Sequence, residues 1–216
     1  MTTDATSPRR GRPPNPQLRE RVLTAALELF AERGYDATSV NEVVVRAGVT
    51  KGAMYHYFTA KEDLLYEIYR GLLDQQLADL DRIVAERSDP AAALHAVIEN
   101  LVTTTISHSR EVTVFSRETS RLGEARWRAL QADWRRYQDA VRTLIRDAQR
   151  AGTFAATASP EVVSWLIFGF TNSLPTWFRP GGPKSPVDIA HETSAFVLAA
   201  LTGHDAGPPQ EGSSTP

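Results

Sequence analysis

The segment Thr38–Leu64 constrains the fold more strongly than any other part of this 216-residue chain. Its apolar spacing predicts a short helix, a tight turn at Gly48 and a second short helix. Ser39 and Glu42 have the spacing of a capping box at the start of the first helix, and Thr50 can cap the second. Two short helices joined by a glycine turn indicate a helix–turn–helix, whose second helix can lie in a DNA major groove.

Helical periodicity covers most of the remaining chain. Thr59 and Glu62 have capping-box spacing before the next helix, and Pro175 is expected to kink or end the helix that contains it. Outside the helix–turn–helix, the predicted helices cover about Pro16–Arg33, Lys61–Arg87, Pro90–Ser109, Glu111–Leu122, Ala125–Ala151, Pro160–Phe178 and Val187–Leu201. No segment has a strand pattern, so the predicted fold class is all-α with about nine helices.

Composition and periodicity divide the chain into four segments. Residues 1–15 are predicted to be a disordered basic arm, and residues 204–216 a disordered tail, because neither has an apolar face to bury. Residues 16–60 form the predicted helix–turn–helix DNA-binding domain, and residues 61–203 a larger helical domain. The net charge of −2 is unevenly distributed: residues 1–61 contain nine Lys and Arg against six Asp and Glu, and the rest contains 15 against 20. This asymmetry is typical of a protein that presents one end to DNA.

Several classes of protein are disfavoured by composition. The chain has no cysteine, which excludes disulfides and thiolate metal sites and suits a reducing cytoplasm. It has no apolar run long enough for a membrane span, and its start lacks a signal-peptide pattern. The five histidines are scattered, and phosphate-loop and nucleophile-elbow patterns are missing from the sequence. We therefore predict no catalytic residues, metal site or cofactor.

The helix–turn–helix segment also has a family resemblance. From Arg19 to about Leu65, the chain is similar to the DNA-binding domain of the tetracycline-repressor (TetR) family of bacterial transcriptional regulators. The matching pieces are ALELFAERGYDATSV, VVVRAGVTKGAMYHYF and TAKEDLL. The remainder resembles the ligand-binding and dimerisation domain of that family. The resemblance implies a homodimer that binds a pseudo-palindromic double-stranded DNA operator and responds to a small-molecule effector.

The candidate DNA contacts follow from the second helix and from the resemblance. Tyr55, Tyr57 and Lys61 match family positions that touch the DNA backbone. Lys51 and His56 face the groove or its edges, and their donors also suit phosphate oxygens. Packing aromatics are the alternative interpretation of the tyrosines, and we assign that role to Phe58. The predicted contacts within the helix–turn–helix are Ser39, Thr50, Lys51, Gly52, Tyr55, His56, Tyr57 and Lys61.

A second nucleic-acid signal lies in the basic arm. Arg10-Gly11-Arg12-Pro13 resembles the core of an AT-hook, whose arginines enter the narrow minor groove of A·T-rich DNA. The alternative is an ordinary basic tail held near the phosphates. We include Arg10 and Arg12 among the predicted DNA contacts.

The larger domain contains apolar and aromatic residues that fit a ligand pocket, although most such residues belong to a core. The predicted ligand contacts are Val102, Thr105, Phe115, Glu118, Trp127, Trp134, Phe170 and Trp177. The segment WFRPGGPKSP is similar to a loop in family members that sense CoA thioesters of fatty acids or sterol fragments. An acyl-CoA or another bulky lipophilic molecule is therefore the expected effector.

The last two predicted helices have more apolar surface than one domain needs. Pairing with their copies in a four-helix bundle would bury this surface, whereas an intramolecular core is the alternative. One short recognition helix reads too few base pairs to find a genomic site, which favours the dimer. The predicted interface residues are Trp165, Phe168, Ile189, Phe196, Val197 and Ala200.

The arginines of the long helix at about Ala125–Ala151 could indicate a DNA-binding surface, but interspersed aspartates favour a solvated face with ion pairs.

Taken with the family resemblance, the sequence predicts an effector-responsive regulator, most simply a repressor. A constitutive DNA-binding dimer without an effector is the alternative, and an enzyme is the least favoured class.

Overall fold

The computed structural model describes residues 15–203, and that range is built from nine α-helices and one short 3-10 helix, without a strand. The helices are α1 Pro16–Arg33, α2 Val40–Ala47, α3 Lys51–Tyr55, α4 Lys61–Glu86, α5 Pro90–Ser107, α6 Ser109–Glu118, α7 Glu124–Arg150, α8 Pro160–Trp177 and α9 Pro186–Thr202; the 3-10 helix is Thr119–Arg121. The all-α prediction is confirmed. The predicted arm and tail lie outside the described residues, apart from Asn15.

Backbone contacts divide the chain into two compact units, residues up to Leu64 and residues from Leu65 onward. The sequence placed this boundary at Lys61, where α4 begins. The division falls inside α4 because the first turn of that helix bonds back to the α1–α2 loop, as described below. A single helix therefore belongs to both units.

Unit 1 is a three-helix cluster in which α2 packs against α1 and α3 against α2. Apolar side chains three and four residues apart on α1 supply one side of its core. The buried residues of this core are Val22, Ala25, Ala26, Leu29, Phe30, Val43, Val44, Ala47, Met54 and Phe58. Phe58 is 2% exposed, in agreement with its predicted core role.

The turn between α2 and α3 requires a glycine. Gly48 has a left-handed conformation with φ of 62°, which L-residues with side chains adopt at a cost. Arg21 of α1 donates from Nη2 to the carbonyl oxygens of Ala47 and Gly48, the latter at 2.9 Å. A Cβ at Gly48 would lie 3.0 Å from that guanidinium nitrogen. The turn is thus fixed both by its own backbone and by a cation from another helix.

The start of α4 corrects one detail of the sequence analysis. The predicted capping box paired Thr59 with Glu62, but the helix begins at Lys61, so its third residue is Asp63. Asp63 Oδ2 accepts from the backbone nitrogens of Thr59 and Ala60 at 2.6 and 2.9 Å and from the Thr59 hydroxyl at 2.7 Å. Because the helix starts one residue later than the pattern implied, the capping role passes to the next carboxylate.

Unit 2 is organised around α5, which packs against α7, α8 and α9. Ten residues of α5 are buried, which fits a central helix with apolar side chains on most of its surface. Several helix boundaries differ from the predicted ones, most of them by one or two residues. α6 begins at Ser109 rather than Glu111, and α8 runs through Pro175 and ends two residues later at Trp177. Proline is tolerated there because the lost hydrogen bond lies in the last turns of the helix.

Candidate DNA interface, effector cavity and dimer face

The short helix α3 is amphipathic, with one buried and one exposed side. Met54 is fully buried, and Phe58, one turn later in the chain, is nearly so. Lys51 and Tyr55 are exposed and also one turn apart, and the Lys51 ammonium lies 5.9 Å from the centre of the Tyr55 ring. The core thus fixes the helix by one side and leaves cationic and hydroxyl donors on the other, as DNA backbone contacts require.

Both N-terminal ends of the helix–turn–helix helices are capped by hydroxyl side chains. The Ser39 side chain accepts from the Glu42 amide at 3.2 Å, and the Thr50 side chain accepts from the Ala53 amide at 3.2 Å. The hydroxyl protons are not consumed by these bonds. The Thr50 cap can therefore donate to a phosphate at a helix N-terminus, where the backbone dipoles also favour an anion, whereas the Ser39 hydroxyl also bonds to the Glu42 carboxylate.

Gly52 is exposed in the first turn of α3, and the fold gives no reason for a glycine there. A Cβ at this position would meet no other atom within 4 Å. Glycine inside a helix is unfavourable compared with alanine, so a benefit outside the folded unit would account for it. Close approach of the α3 backbone to DNA is such a benefit.

Tyr55 and Tyr57 differ in exposure and in the hydrogen bonds of their hydroxyl groups. Tyr55 is 44% exposed. The Tyr57 hydroxyl accepts a hydrogen bond from the backbone nitrogen of Asn15, the residue that caps α1. A phenol can accept and donate at once, so the Tyr57 hydroxyl proton stays available while the oxygen holds the start of α1, and the predicted phosphate contact stays a prediction. His56 is exposed beside it, in edge contact with the Tyr57 ring.

Lys61 has an internal role that sequence reasoning missed. Its ammonium donates to the carbonyl oxygens of Tyr35 and Thr38 at 2.7 and 2.9 Å and lies 4.1 Å from the centre of the Tyr35 ring. Two of its three N–H groups thus join the first turn of α4 to the α1–α2 loop. The predicted DNA contact of Lys61 stays a prediction, to be made with the remaining N–H. The predicted contacts Arg10 and Arg12 lie outside the described residues.

Unit 2 contains a cavity of about 260 Å³ between α4, α5, α6, α7 and α8. It is lined by Tyr69, Leu72, Gln76, Leu101, Thr105, Val112, Phe115, Ser116, Trp127, Leu130, Gln131, Trp134 and Asn172. Four of the eight predicted ligand residues lie in this wall: Thr105, Phe115, Trp127 and Trp134. The rings of Tyr69 and Phe115 stack nearly parallel, and Trp127 packs against Phe115.

The other four predicted ligand residues lie elsewhere. Val102 is fully buried in the packing of α5, because only the side of that helix bearing Leu101 and Thr105 faces the cavity. Glu118 points toward Arg121, at 4.0 Å. Phe170 and Trp177 pack on each other and line a second cavity of about 460 Å³ beside the α8–α9 loop. Spacing on α8 could not distinguish its α7-facing side from its α9-facing side, because both are apolar.

The cavity of about 260 Å³ contains polar groups that have no side-chain hydrogen bond to any described residue. They are the side chains of Gln76, Thr105, Gln131 and Asn172. Gln76 is only 5% exposed, although an amide of this kind ordinarily finds a partner when buried. Burial raises the pKa of Tyr69 to about 12, so its hydroxyl stays neutral and can donate at physiological pH. The cavity thus combines aromatic walls with several available donors and acceptors, as small-molecule sites do.

An exposed apolar face covers α8 and α9. Trp165, Leu166 and Phe196 are 62%, 68% and 76% exposed. A groove of about 640 Å³ separates these helices, and Val197 and Ala200 line it. One predicted interface residue is wrong: Phe168 is buried against Trp134, with ring centres 5.1 Å apart. Ile189 is half-buried and lines the cavity beside the α8–α9 loop.

The arginines of α7 form ion pairs, as the sequence analysis expected of a solvated face. Within the helix, Arg128 pairs with Glu124, Arg142 with Asp139 and Arg150 with Asp147; across helices, Arg136 pairs with Asp81 and Arg146 with Glu161. Exposed pairs of this kind contribute little to stability.

In the described part of the chain, no helix is long and apolar enough to cross a membrane.

Comparison with known proteins agrees with this geometry. Residues 22–68 match the model described as bacterial regulatory proteins, tetR family, and residues 87–201 match the tetracyclin repressor-like C-terminal domain. The chain belongs to the TetR family. The two family models together match residues in both units of this TetR-family regulator. The prediction of a DNA-binding helix–turn–helix is confirmed. Regulators of the family bind operator DNA and small-molecule effectors, and act as dimers.

Similar TetR-family proteins include two forms of the HTH-type transcriptional repressor KstR2. The Rhodococcus jostii protein is 28% identical over 199 residues, which covers 92% of this chain and 95% of that protein. The Mycobacterium tuberculosis protein is 27% identical over 185 residues, covering 85% and 92%. The structure of the latter, a ketosteroid transcriptional regulator, has a TM-score of 0.79 at 26% identity and covers 90% and 100%. AibR, solved with isovaleryl coenzyme A and operator DNA, has the same fold (TM-score 0.74, 24% identity, covering 86% and 99%).

Proposed function

We propose that this TetR-family protein is a repressor that binds a pseudo-palindromic operator as a homodimer and is released by a small lipophilic effector. The repressor role is supported by the similar KstR2 proteins, which are named as repressors. The dimer is supported by the exposed apolar face of α8 and α9. Two-fold symmetry would place two copies of α3 in successive major grooves.

The cavity in unit 2 is the observation on which effector control rests. Tight packing normally fills such a space, and buried amides normally have partners. Here the aromatic side chains of Tyr69, Phe115 and Trp127 share the cavity wall with polar side chains such as Gln76 and Thr105 that lack partners among the described residues. A ligand with an apolar body and one or two carbonyl or hydroxyl groups would satisfy both surfaces.

An acyl-CoA type of effector is our first choice, with a ketosteroid-like molecule as the closest competitor. A cavity of 260 Å³ is just below the range of about 300–1,000 Å³ found for ligand pockets. We therefore place only the acyl or ring part of a thioester inside it, with the nucleotide outside. The resemblance of the α8–α9 loop to thioester-sensing relatives supports the acyl-CoA choice. The ketosteroid regulator among the similar structures supports the competitor.

The route from cavity to DNA would run through α4. Leu72 and Gln76, one helical turn apart, face the cavity, and the same helix begins at Lys61 in unit 1. A ligand that shifts this part of α4 would alter the position of the DNA-binding helices and so lower operator affinity. The coupling is reciprocal: a tenfold release from DNA corresponds to about 1.4 kcal/mol of weaker effector binding to the operator complex.

The proposal is tested by a thermal-shift screen followed by operator titrations. The panel contains fatty acyl-CoAs, the matched free acids, CoA alone and ketosteroids. An effector must raise the melting temperature by mass action and weaken operator binding. Stabilisation by acyl-CoA but not by the free acid or CoA supports the thioester choice, whereas stabilisation by ketosteroids alone replaces it. If no compound acts, the constitutive DNA-binding dimer becomes the better description.

Variants then locate the ligand. Thr105→Met places a larger side chain in the cavity wall, and Gln76→Leu removes an unpartnered amide without changing the size of the side chain. Both should bind operator normally yet need at least tenfold more effector for release. Thr103→Met, the same substitution on α5 at a residue that does not line the cavity, is the matched control. An unchanged response in a folded Thr105→Met variant would exclude this cavity as the effector site.

A further inference from the structure

Two histidines and a glutamate from distant parts of the sequence meet between α5 and α9. His95 and Glu99 are one helical turn apart on α5, and His191 lies on α9. His191 Nδ1 is 3.2 Å from Glu99 Oε1, and His95 Nδ1 is 3.6 Å from Glu99 Oε2. One ligand atom from each residue lies within 4.8 Å of the others. We propose that His95, Glu99 and His191 form a Zn²⁺ site that joins α9 to α5.

The spacing of the three groups fits a tetrahedral ion. Ligand atoms about 2.1 Å from zinc at tetrahedral angles are about 3.4 Å from one another. The two imidazoles lie 3.2 and 3.6 Å from different oxygens of the Glu99 carboxylate, and the three ligand atoms lie within 4.8 Å of one another, so side-chain rotations would bring them to this spacing. Two histidines and one carboxylate are a donor set that Zn²⁺ accepts, with the fourth position left for water.

Ser194 orients His95 for this role. The Ser194 hydroxyl lies 2.9 Å from the His191 carbonyl oxygen, to which it donates its proton, and 3.2 Å from His95 Nε2. When its proton is used in this way, the hydroxyl can accept from Nε2–H of His95. The lone pair of His95 is then on Nδ1 and faces the Glu99 carboxylate. Two acceptors face each other, an arrangement that a cation between them stabilises.

The charge of Glu99 has no other compensation in the described part of the chain. Its neighbours there are His95, His191 and, 3.5 Å away, the Ser194 hydroxyl, and no lysine or arginine forms an ion pair with it. The His95 and Glu99 side chains are about one-third exposed, and that of His191 is 70% exposed. An ion can thus enter from solvent. None of these residues lines the effector cavity, so the metal site is independent of the proposed function.

The test uses the full-length chain without an affinity tag, freed of metal by a chelator. Calorimetric titration with Zn²⁺ should give one site per chain, and Zn²⁺ should raise the melting temperature of unit 2 reversibly. His191→Ala and Glu99→Gln should each weaken Zn²⁺ binding at least tenfold. His108→Gln, which removes a histidine at the end of α5 outside the cluster, should bind like the wild type. Co²⁺ should give the intense visible absorption of a four-coordinate ion.

Ser194→Ala provides a second variant that leaves the three ligands in place. Loss of a residue that orients a ligating histidine typically costs about 10–100-fold in metal affinity. The proposal is overturned if the wild type does not bind Zn²⁺. It is also overturned if the affinity and the Co²⁺ spectrum are the same in folded His191→Ala and Ser194→Ala proteins as in the wild type. Circular dichroism establishes folding in each case.

Discussion

At the scale of single residues, the two lysines of the DNA interface illustrate how similar side chains can have different roles. Lys51 is exposed at the start of α3, whereas Lys61 donates to two backbone carbonyl groups of the α1–α2 loop. A mutation at either position can weaken DNA binding, but only the second also removes internal hydrogen bonds. Stability and DNA affinity must therefore be measured together.

We predict that Lys51→Ala leaves stability within about 0.5 kcal/mol of the wild type and weakens binding to all DNA sequences alike. The loss of one phosphate contact should reduce the salt-dependence slope by about one unit. Lys61→Ala should lower the free energy of unfolding by about 1–2 kcal/mol, because hydrogen bonds from a charged donor are lost. Urea denaturation and salt-dependent DNA titrations provide the two measurements. A Lys61→Ala protein of full stability would contradict the internal role.

At Gly52 we predict a substitution that preserves stability but weakens DNA binding. Gly52→Ala should leave unit 1 as stable as the wild type or more stable by up to about 1 kcal/mol, since alanine favours the helix and its Cβ meets no atom. Operator affinity should nevertheless fall at least fivefold if the α3 backbone approaches DNA closely. Gly48→Ala, at φ of 62°, should instead destabilise the fold. Unchanged affinity in Gly52→Ala would place this turn of α3 away from the DNA.

At the scale of helices, two capping boxes have the same design on different units. Ser39 with Glu42 starts α2, and Ser185 with Asp188 starts α9. Hydrogen bonds from the Ser39 backbone and side chain lower the pKa of Glu42, and the nearby Arg33 adds to this effect. Bonds from the Ser185 side chain and backbone likewise lower the pKa of Asp188. The pKa of each carboxyl group therefore depends on the serine that caps the same helix.

Ser39→Ala should raise the pKa of Glu42 toward its ordinary value and cost about 1 kcal/mol through the lost cap. Because the folded pKa of Glu42 is below its unfolded value, its contribution to stability is present above the unfolded pKa. That contribution is lost as the pH falls through the folded pKa. NMR titration of the side-chain carboxyl carbons measures both groups. Ser185→Ala is the reciprocal control and should move the pKa of Asp188 alone; a Glu42 pKa unaffected by Ser39→Ala would refute the assignment.

At the scale of the whole molecule, the apolar face of α8 and α9 predicts the state of assembly. We expect the wild type to sediment as a dimer and Trp165→Glu with Phe196→Glu to sediment as a folded monomer, because the substitutions place charges in the interface. Operator affinity of the double variant should fall more than tenfold. Val84→Glu, at an apolar residue of α4 that is 40% exposed, should remain dimeric. A double variant that stays dimeric would assign the interface to another surface.

The basic arm gives a second prediction at this scale. Deletion of residues 1–12 should leave the dimer intact and weaken operator binding most where A·T-rich sequence flanks the site. Electrophoretic mobility shifts with matched A·T-rich and G·C-rich flanks measure the difference. An equal loss on both kinds of flank would show that Arg10 and Arg12 act only as an ordinary basic tail.

The sequence by itself determined the helices and the unit that reads DNA. Capping residues, a turn glycine and 3.6-residue periodicity are local signals, so α1, α2 and α9 could be placed nearly to the residue. Phe58 could be assigned to the core because it matches the core residue of the family that this segment resembles. These features depend on contacts between near neighbours in sequence, which the pattern of residues records directly.

Only the tertiary structure decided which side of each buried helix faces which neighbour. α5 and α8 are apolar on most sides, so spacing could not show that Val102 and Phe168 belong to the core. It also could not show that Gln76 of α4 lines the cavity. The sequence analysis expected no metal site because its histidines are far apart along the chain. His95 and His191 meet because the packing of α9 on α5 brings them together, and separation in sequence does not record such packing.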